Sequence, residues 1–379
     1  MKRILALSLV FALLLCGCGQ KAEKAEPTLE SVSLDALIAA NGRTPETQAV
    51  TEAAEAEVPA QTEAPTTAPT EPPVYRNPVN GQLLDGPFTG RIHGHTISNM
   101  QENMPHVNLV KADIVMEMYV NMNNIVRCLA IYSDIASVEA IGSTRSTRPM
   151  FNDIAQHYSL IVSHAGGSDT ALDDADARGV NHLNVEAWDV QQVVQTSYRD
   201  KEYNRSLENS LFGIGSGIKA YAEAQGWPME LERDYGFRFT ENGAPANGEA
   251  ASRISLNFHY KEARKETHMV FDPELGKYVW NQYNKEMTDQ ITGEKEAFTN
   301  VLILDTAVTN NGIYHAADFL AGGTGYYANG GMIAPITFTC DGDTEPLRFW
   351  NADGSELLLG VGNTYIAIAP SGSPVTWEA

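Results

Sequence analysis

Two short stretches hold residue types able to do chemistry. The first reads Gly142-Ser-Thr-Arg-Ser-Thr-Arg-Pro-Met150. Arg145 and Arg148 stand three apart, a spacing that faces both the same way at a helix start. Guanidinium forks take carboxylate or phosphate bidentately, and the amides of a helix N-terminus attract anions. Together these would hold the anionic group of a ligand. The plainer alternative, preferred in so acidic a chain, pairs the arginines with Asp or Glu and lets the hydroxyls cap the helix. The second stretch is His164-Ala-Gly-Gly-Ser168. Gly166 and Gly167 let a backbone approach a ligand closely, and loops that follow strands are common ligand positions. His164 is a candidate acid–base and Ser168 a candidate nucleophile. Neither Gly-x-Ser-x-Gly nor a phosphate loop ending in Gly-Lys-Ser/Thr is present here. Spacing marks no Asp as a third group to hold the base, so binding is the preferred use of this loop.

Other constellations are weaker. Glu117 and Arg127 fall near opposite positions of an expected hairpin, where they would form a cross-strand ion pair or line a cleft with Arg145. His93-Gly-His95 offers two metal ligands with no third fixed by spacing. Asp174-Ala-Asp-Ala-Arg-Gly179 begins like a calcium loop, but Arg178 takes a ligand position and Val185 stands where the closing Glu belongs. The expectation is no metal site and no cofactor.

These residues need elements to position them. Residues 113–120 and 125–132 are apolar, strand-like runs around an Asn-rich connection, the pattern of a β-hairpin. A helix is expected over 147–158, opening with Pro149, then a short buried strand over 159–163. A second helix fits 169–177, ended by Gly179, and a third fits 216–225, ended by Gly226. From about residue 254 strands dominate. Asn329-Gly330 and Asp353-Gly354 are hairpin turns. The fold class expected is α+β, a mixed α/β N-terminal domain over 74–230 and a mostly antiparallel β domain over 231–379. Two cysteines, Cys128 and Cys340, fall in these regions. One disulfide between them is conceivable, and buried free thiols are the plainer reading.

The N-terminal segment is different. Lys2 and Arg3 precede an apolar run from Ile4 to Leu15, then Cys16-Gly17-Cys18. This order is that of a secretory signal. The run is shorter than the ~20 apolar residues of a membrane span. Leu15-Cys16-Gly17-Cys18 resembles a bacterial lipobox, which implies diacylglycerol on Cys18 and a signal peptide over 1–18. The expected location is the extracytoplasmic face of the cell membrane, held by lipid. Residues 19–73 lack aromatics, are rich in Thr, Pro, Glu and Ala, and carry three cations against ten acids. Such a stretch buries too little to offset its ordering entropy and reads as an extended stalk. Within it, residues 33–40 have helical spacing. The net charge of −22 argues against nucleic acid as a partner.

In the folded region the chain resembles the YerB-like bacterial lipoproteins, a family defined by a domain of unknown function. Ala112-Asp-Ile-Val-Met-Glu117, Arg127-Cys-Leu-Ala-Ile-Tyr132, Gly142-Ser-Thr-Arg-Ser-Thr-Arg148 and His164-Ala-Gly-Gly-Ser168 match its first region in order. Gly323-Thr-Gly-Tyr-Tyr-Ala-Asn-Gly-Gly331, Ile336-Thr-Phe338 and Asp353-Gly-Ser-Glu-Leu357 match its second. Arg205-Ser-Leu-Glu-Asn209 departs from the family, with Glu208 in place of an expected His. The resemblance implies a lipoprotein with two linked domains and brings no catalytic mechanism. The expectation is a non-catalytic accessory protein of the cell envelope that binds a cell-wall ligand or an envelope protein. The alternative is an envelope-polymer hydrolase using His164 with Glu117 or Ser168.

Overall fold

The structure, a computed structural model, describes residues 73–121, 125–187, 195–197, 205–206, 208–261, 263–311 and 313–379. Cys18, the expected stalk as far as residue 72 and the helical spacing over 33–40 lie outside the described residues.

Strands β1 (His93–Ser98), β2 (Ile114–Tyr119) and β3 (Val126–Tyr132) are buried at every position. Such runs require a sheet covered on both faces. β2 and β3 form the expected antiparallel hairpin, and β1 flanks β3. Helix α1 (Pro149–Tyr158) follows, with proline in its first turn, and is closed by Ser159 in the left-handed conformation. β4 (Ile161–His164) runs parallel to β1. Helix α2 (Asp169–Ala177) ends two residues before Gly179, whose φ of +67° suits glycine. β5 (His182–Asn184) joins β4 in parallel. Helix α3 (Gly215–Ala224) is likewise followed by Gly226 at positive φ.

The C-terminal half builds two further groups of strands. β6 (Arg253–Tyr260), β7 (Ala263–Asp272) and β8 (Lys277–Gln282) form an antiparallel meander. β9 (Asn300–Thr306), β10 (Gly323–Asn329) and β11 (Met332–Thr339) form another. Gly330 and Gly331 both take positive φ in the turn between β10 and β11, and Gly354 does so in the second expected turn. β12 (Thr364–Pro370) lies between β9 and β2, parallel to both. β13 (Val375–Glu378) closes the edge of β6.

One sheet therefore runs β11-β10-β9-β12-β2-β3-β1-β4-β5, with two short flanking strands bringing it to eleven. Both halves of the chain contribute to it. The second, six-stranded sheet comes from the C-terminal half alone. Alternation along each strand splits the large sheet's side chains between two cores. Val115, Tyr119, Cys128 and Ala130 pack with Phe258 and Trp280 of the second sheet. Met116, Met118, Leu129 and Ile131 pack with Phe151, Ile154 and Tyr158 of α1. The fold is α+β and mostly β, with mixed pairing in the N-terminal half. Cys128 and Cys340 are both buried and free.

Candidate functional site

The register of β2 and β3 decides where the charged residues go. Glu117 stands opposite Cys128, and Arg127 stands opposite Met118. Adjacent strand positions point to opposite faces, so Glu117 and Arg127 are on different sides of the sheet. The expected Glu117–Arg127 ion pair does not form. Glu117 faces the second sheet and Arg127 faces α1.

On the α1 face, Arg127 is 3% exposed. Its guanidinium donates to the Ser146 carbonyl oxygen. Burial lowers its pKa, and the neighbouring guanidiniums of Arg148 and Arg145 lower it further. Arg148 occupies the N-cap of α1, where no side chain caps the helix. It lies 4.9 Å from the centroid of the Tyr314 ring and donates to the Thr147 carbonyl at 2.6 Å. Its Nε is buried without a hydrogen-bond partner, as is the Thr147 hydroxyl. Arg145 pairs with Glu208, whose side chain is 71% exposed, and donates to Asn209 Oδ1 at 3.3 Å. So the expected pairing with acid holds for Arg145. Among the described residues neither Arg127 nor Arg148 has a carboxylate within ion-pair distance. The expected hydroxyl cap of this helix is absent.

The glycine loop lies against this cluster. Thr147 bridges Gly167, and the Thr147 N–H donates to the Gly166 carbonyl at 3.0 Å. Ala165 N–H donates to the Arg145 carbonyl at 3.0 Å. Gly166 has φ +66°, and a Cβ there would sit 3.1 Å from Glu186 Oε2. Ser168 caps α2, its hydroxyl accepting from the Ala171 N–H at 3.2 Å. Arg145, Arg148, His164, Gly166, Gly167, Ser168 and Arg127 thus share one neighbourhood on one face. The starts of α1 and α2 both border it.

His164 has no free ring nitrogen. Nδ1 meets the Gly166 carbonyl at 2.8 Å, so it must be the donor there. Nε2 meets His182 Nδ1 at 2.9 Å, and His182 Nε2 meets Asp176 Oδ1 at 3.0 Å. Burial pushes the His164 pKa down to about 3, with His182 adding to the shift. A neutral ring committed at both nitrogens holds the loop and does not activate Ser168. Glu117 is on the opposite face of the sheet. The groups offered for hydrolysis are therefore not assembled: His164 bonds His182, Ser168 caps a helix, and Glu117 bonds the other layer.

That other layer holds a buried polar cluster with no signal in the local sequence. Glu117 accepts from Lys265 Nζ, the Tyr365 hydroxyl, Asn99 Nδ2 (2.6 Å) and the Thr267 hydroxyl (3.0 Å). Lys265 also donates to Gln282 Oε1 at 2.7 Å. Burial lowers the lysine pKa and Glu117 opposes that shift. This cluster ties β2 and β12 to β7 and β8. His93 and His95 do not make a metal pair. His95 is fully buried between the Ser163 hydroxyl (2.6 Å) and the Thr144 hydroxyl (2.8 Å). Among the described residues no three His, Cys, Asp or Glu side chains are grouped to hold a metal ion. Among them, too, no helix is long and apolar enough to cross a membrane.

Comparison with known proteins gives a family. The N-terminal domain model of a protein family of unknown function (DUF3048) matches residues 88–228, and its C-terminal domain model matches residues 254–366. The chain is similar to the crystal structure of YerB protein from Bacillus subtilis, with 20% identity and a TM-score of 0.67 over 79% of this chain and 99% of that one. At this identity the likeness concerns the fold. No curated protein matches.

Proposed function

From the premise that the chain belongs to the DUF3048 family, we propose that it is a lipid-anchored, extracytoplasmic binding protein of the cell envelope, without catalysis of its own. The leader ending at Cys18 supports the anchor, and the acidic, proline-rich segment after it supports a spacer between membrane and folded region. The observation that carries the binding role is the arginine cluster. Arg127, which is buried, and Arg148, which is half-buried, bring positive charge to one side of a glycine loop, and among the described residues neither has a carboxylate within ion-pair distance. Buried charge is costly unless compensated, and a ligand anion supplies that compensation. The commitment of His164 to Gly166 and His182 favours binding over hydrolysis at the same place.

Two measurements test this. Mass spectrometry of the mature protein should find Cys18 as an acylated first residue, and an intact leader on cytosolic protein refutes the anchor. Full-length protein in non-ionic detergent should retain solubilised wall fragments or an envelope protein. Its Arg148→Gln variant should retain clearly less. Equal retention by both removes the cluster from the binding role.

A further inference from the structure

Resting on that binding role, we infer that the group taken by the arginine cluster is a dianionic phosphate, as a phosphomonoester or free phosphate. Charge balance argues for it. Three guanidiniums lie within Coulombic reach of one another, and Glu208 neutralises one of them through Arg145. Glu186, whose Oε2 lies beside Gly166, has a partner of its own, and the two remaining charges of the cluster, on Arg127 and Arg148, match a phosphomonoester, which carries about −1.5 to −2 near neutral pH. A carboxylate or a phosphodiester brings a single charge and leaves one buried guanidinium uncompensated.

The donors agree with this choice. Arg148 Nε and the Thr147 hydroxyl are buried side-chain groups without a partner, on consecutive residues. The positive ends of α1 and α2 border the same loop; at α1 Pro149 has no N–H and the Phe151 N–H donates to the Arg148 carbonyl, so that helix contributes its dipole and the Met150 N–H. A tetrahedral group with three terminal oxygens can serve guanidinium, hydroxyl and amide donors from different directions. A planar carboxylate offers two oxygens in one plane. Glu208 sets the strength of the site, since its mostly exposed carboxylate holds Arg145 at the rim.

The test is calorimetric titration of the full-length protein in non-ionic detergent at pH 7.5 with glycerol 3-phosphate, inorganic phosphate, glycerophosphoglycerol and succinate. Glycerol 3-phosphate or inorganic phosphate should bind at least tenfold more tightly than the diester or succinate, and whichever of the two binds better identifies the source. Arg148→Gln should weaken that binding at least tenfold, and Glu208→Gln should tighten it several-fold by freeing Arg145. Melting curves confirm that each variant is folded. Arg127→Gln is a further variant, and if it fails to fold the other two still decide. Succinate or diester binding equal to that of the monoester overturns the phosphate assignment and leaves the binding role standing. Absence of binding by all four anions, with wall fragments still retained, also overturns this inference alone. Absence of both kinds of binding overturns the binding role as well.

Discussion

At the scale of single residues, the Glu117–Lys265 pair shows how much of the inter-sheet contact depends on polar satisfaction. Both side chains are nearly or fully buried. Removing one partner of such a pair strands a charge, at a cost of about 3–5 kcal/mol, whereas replacing both with apolar residues is often close to neutral. Lys265→Met should therefore lower unfolding stability in urea by about 3–5 kcal/mol. Glu117→Leu in the same chain should recover only part of that loss, because it strands the Asn99 amide and the Thr267 and Tyr365 hydroxyls. Simple additivity of the two losses would show that the residues do not act as a unit. Lys265 was invisible in the sequence as a partner of Glu117, because the two are far apart in the chain and meet only when the sheets stack. Arg127 stands out in the sequence, but a single step of register puts it on the other face.

At the scale of elements, punctuation made much of the fold legible. Pro149, Gly179 and Gly226 bound the three helices within a residue or two, and the Gly330 and Gly354 turns fall where the sequence puts them. The hairpin of β2 and β3 was plain from two apolar runs. The parallel pairing of β12 with β2 was not, since nothing local records a partner some 250 residues away. The glycine loop is the element whose geometry can be broken most cleanly. Gly166 sits at φ +66°, where a Cβ costs about 1–2 kcal/mol. Gly166→Ala should lose about that much stability in urea, and it should weaken anion binding more than a surface substitution such as Lys285→Ala. Unchanged binding with the expected loss of stability would show that the loop backbone is not part of the site.

At the scale of the whole molecule, buried histidines set the response to acid. Burial pushes His93 down to about 4, and His95 and His164 down to about 3. An unfolded histidine takes up its proton near pH 6.5, so the unfolded chain binds more protons and stability falls as pH drops from 6.5 toward 3–4. Asp153 works in the opposite sense. Burial lifts it to about 6, so its contribution grows as pH falls from 6 toward 4. Three histidines outweigh one carboxylic acid, and the net loss by pH 4.5 is roughly 5 kcal/mol. The thermal midpoint should fall between pH 7 and pH 4.5, and His95→Asn should show a shallower fall. An equally steep fall in that variant would assign the acid response to other groups.

The central position of β12 also fixes the order in which the protein can be built. β2 cannot complete its ladder until a strand made some 250 residues later arrives beside it. Until then its apolar edge is open to pairing with any other chain. A polypeptide emerging from the ribosome would therefore need that edge shielded from the completion of β2 until β12 has been made. A stop codon placed just before Thr364 would leave both halves of the sheet unsealed and prone to clump, a far worse outcome than loss of a terminal tail.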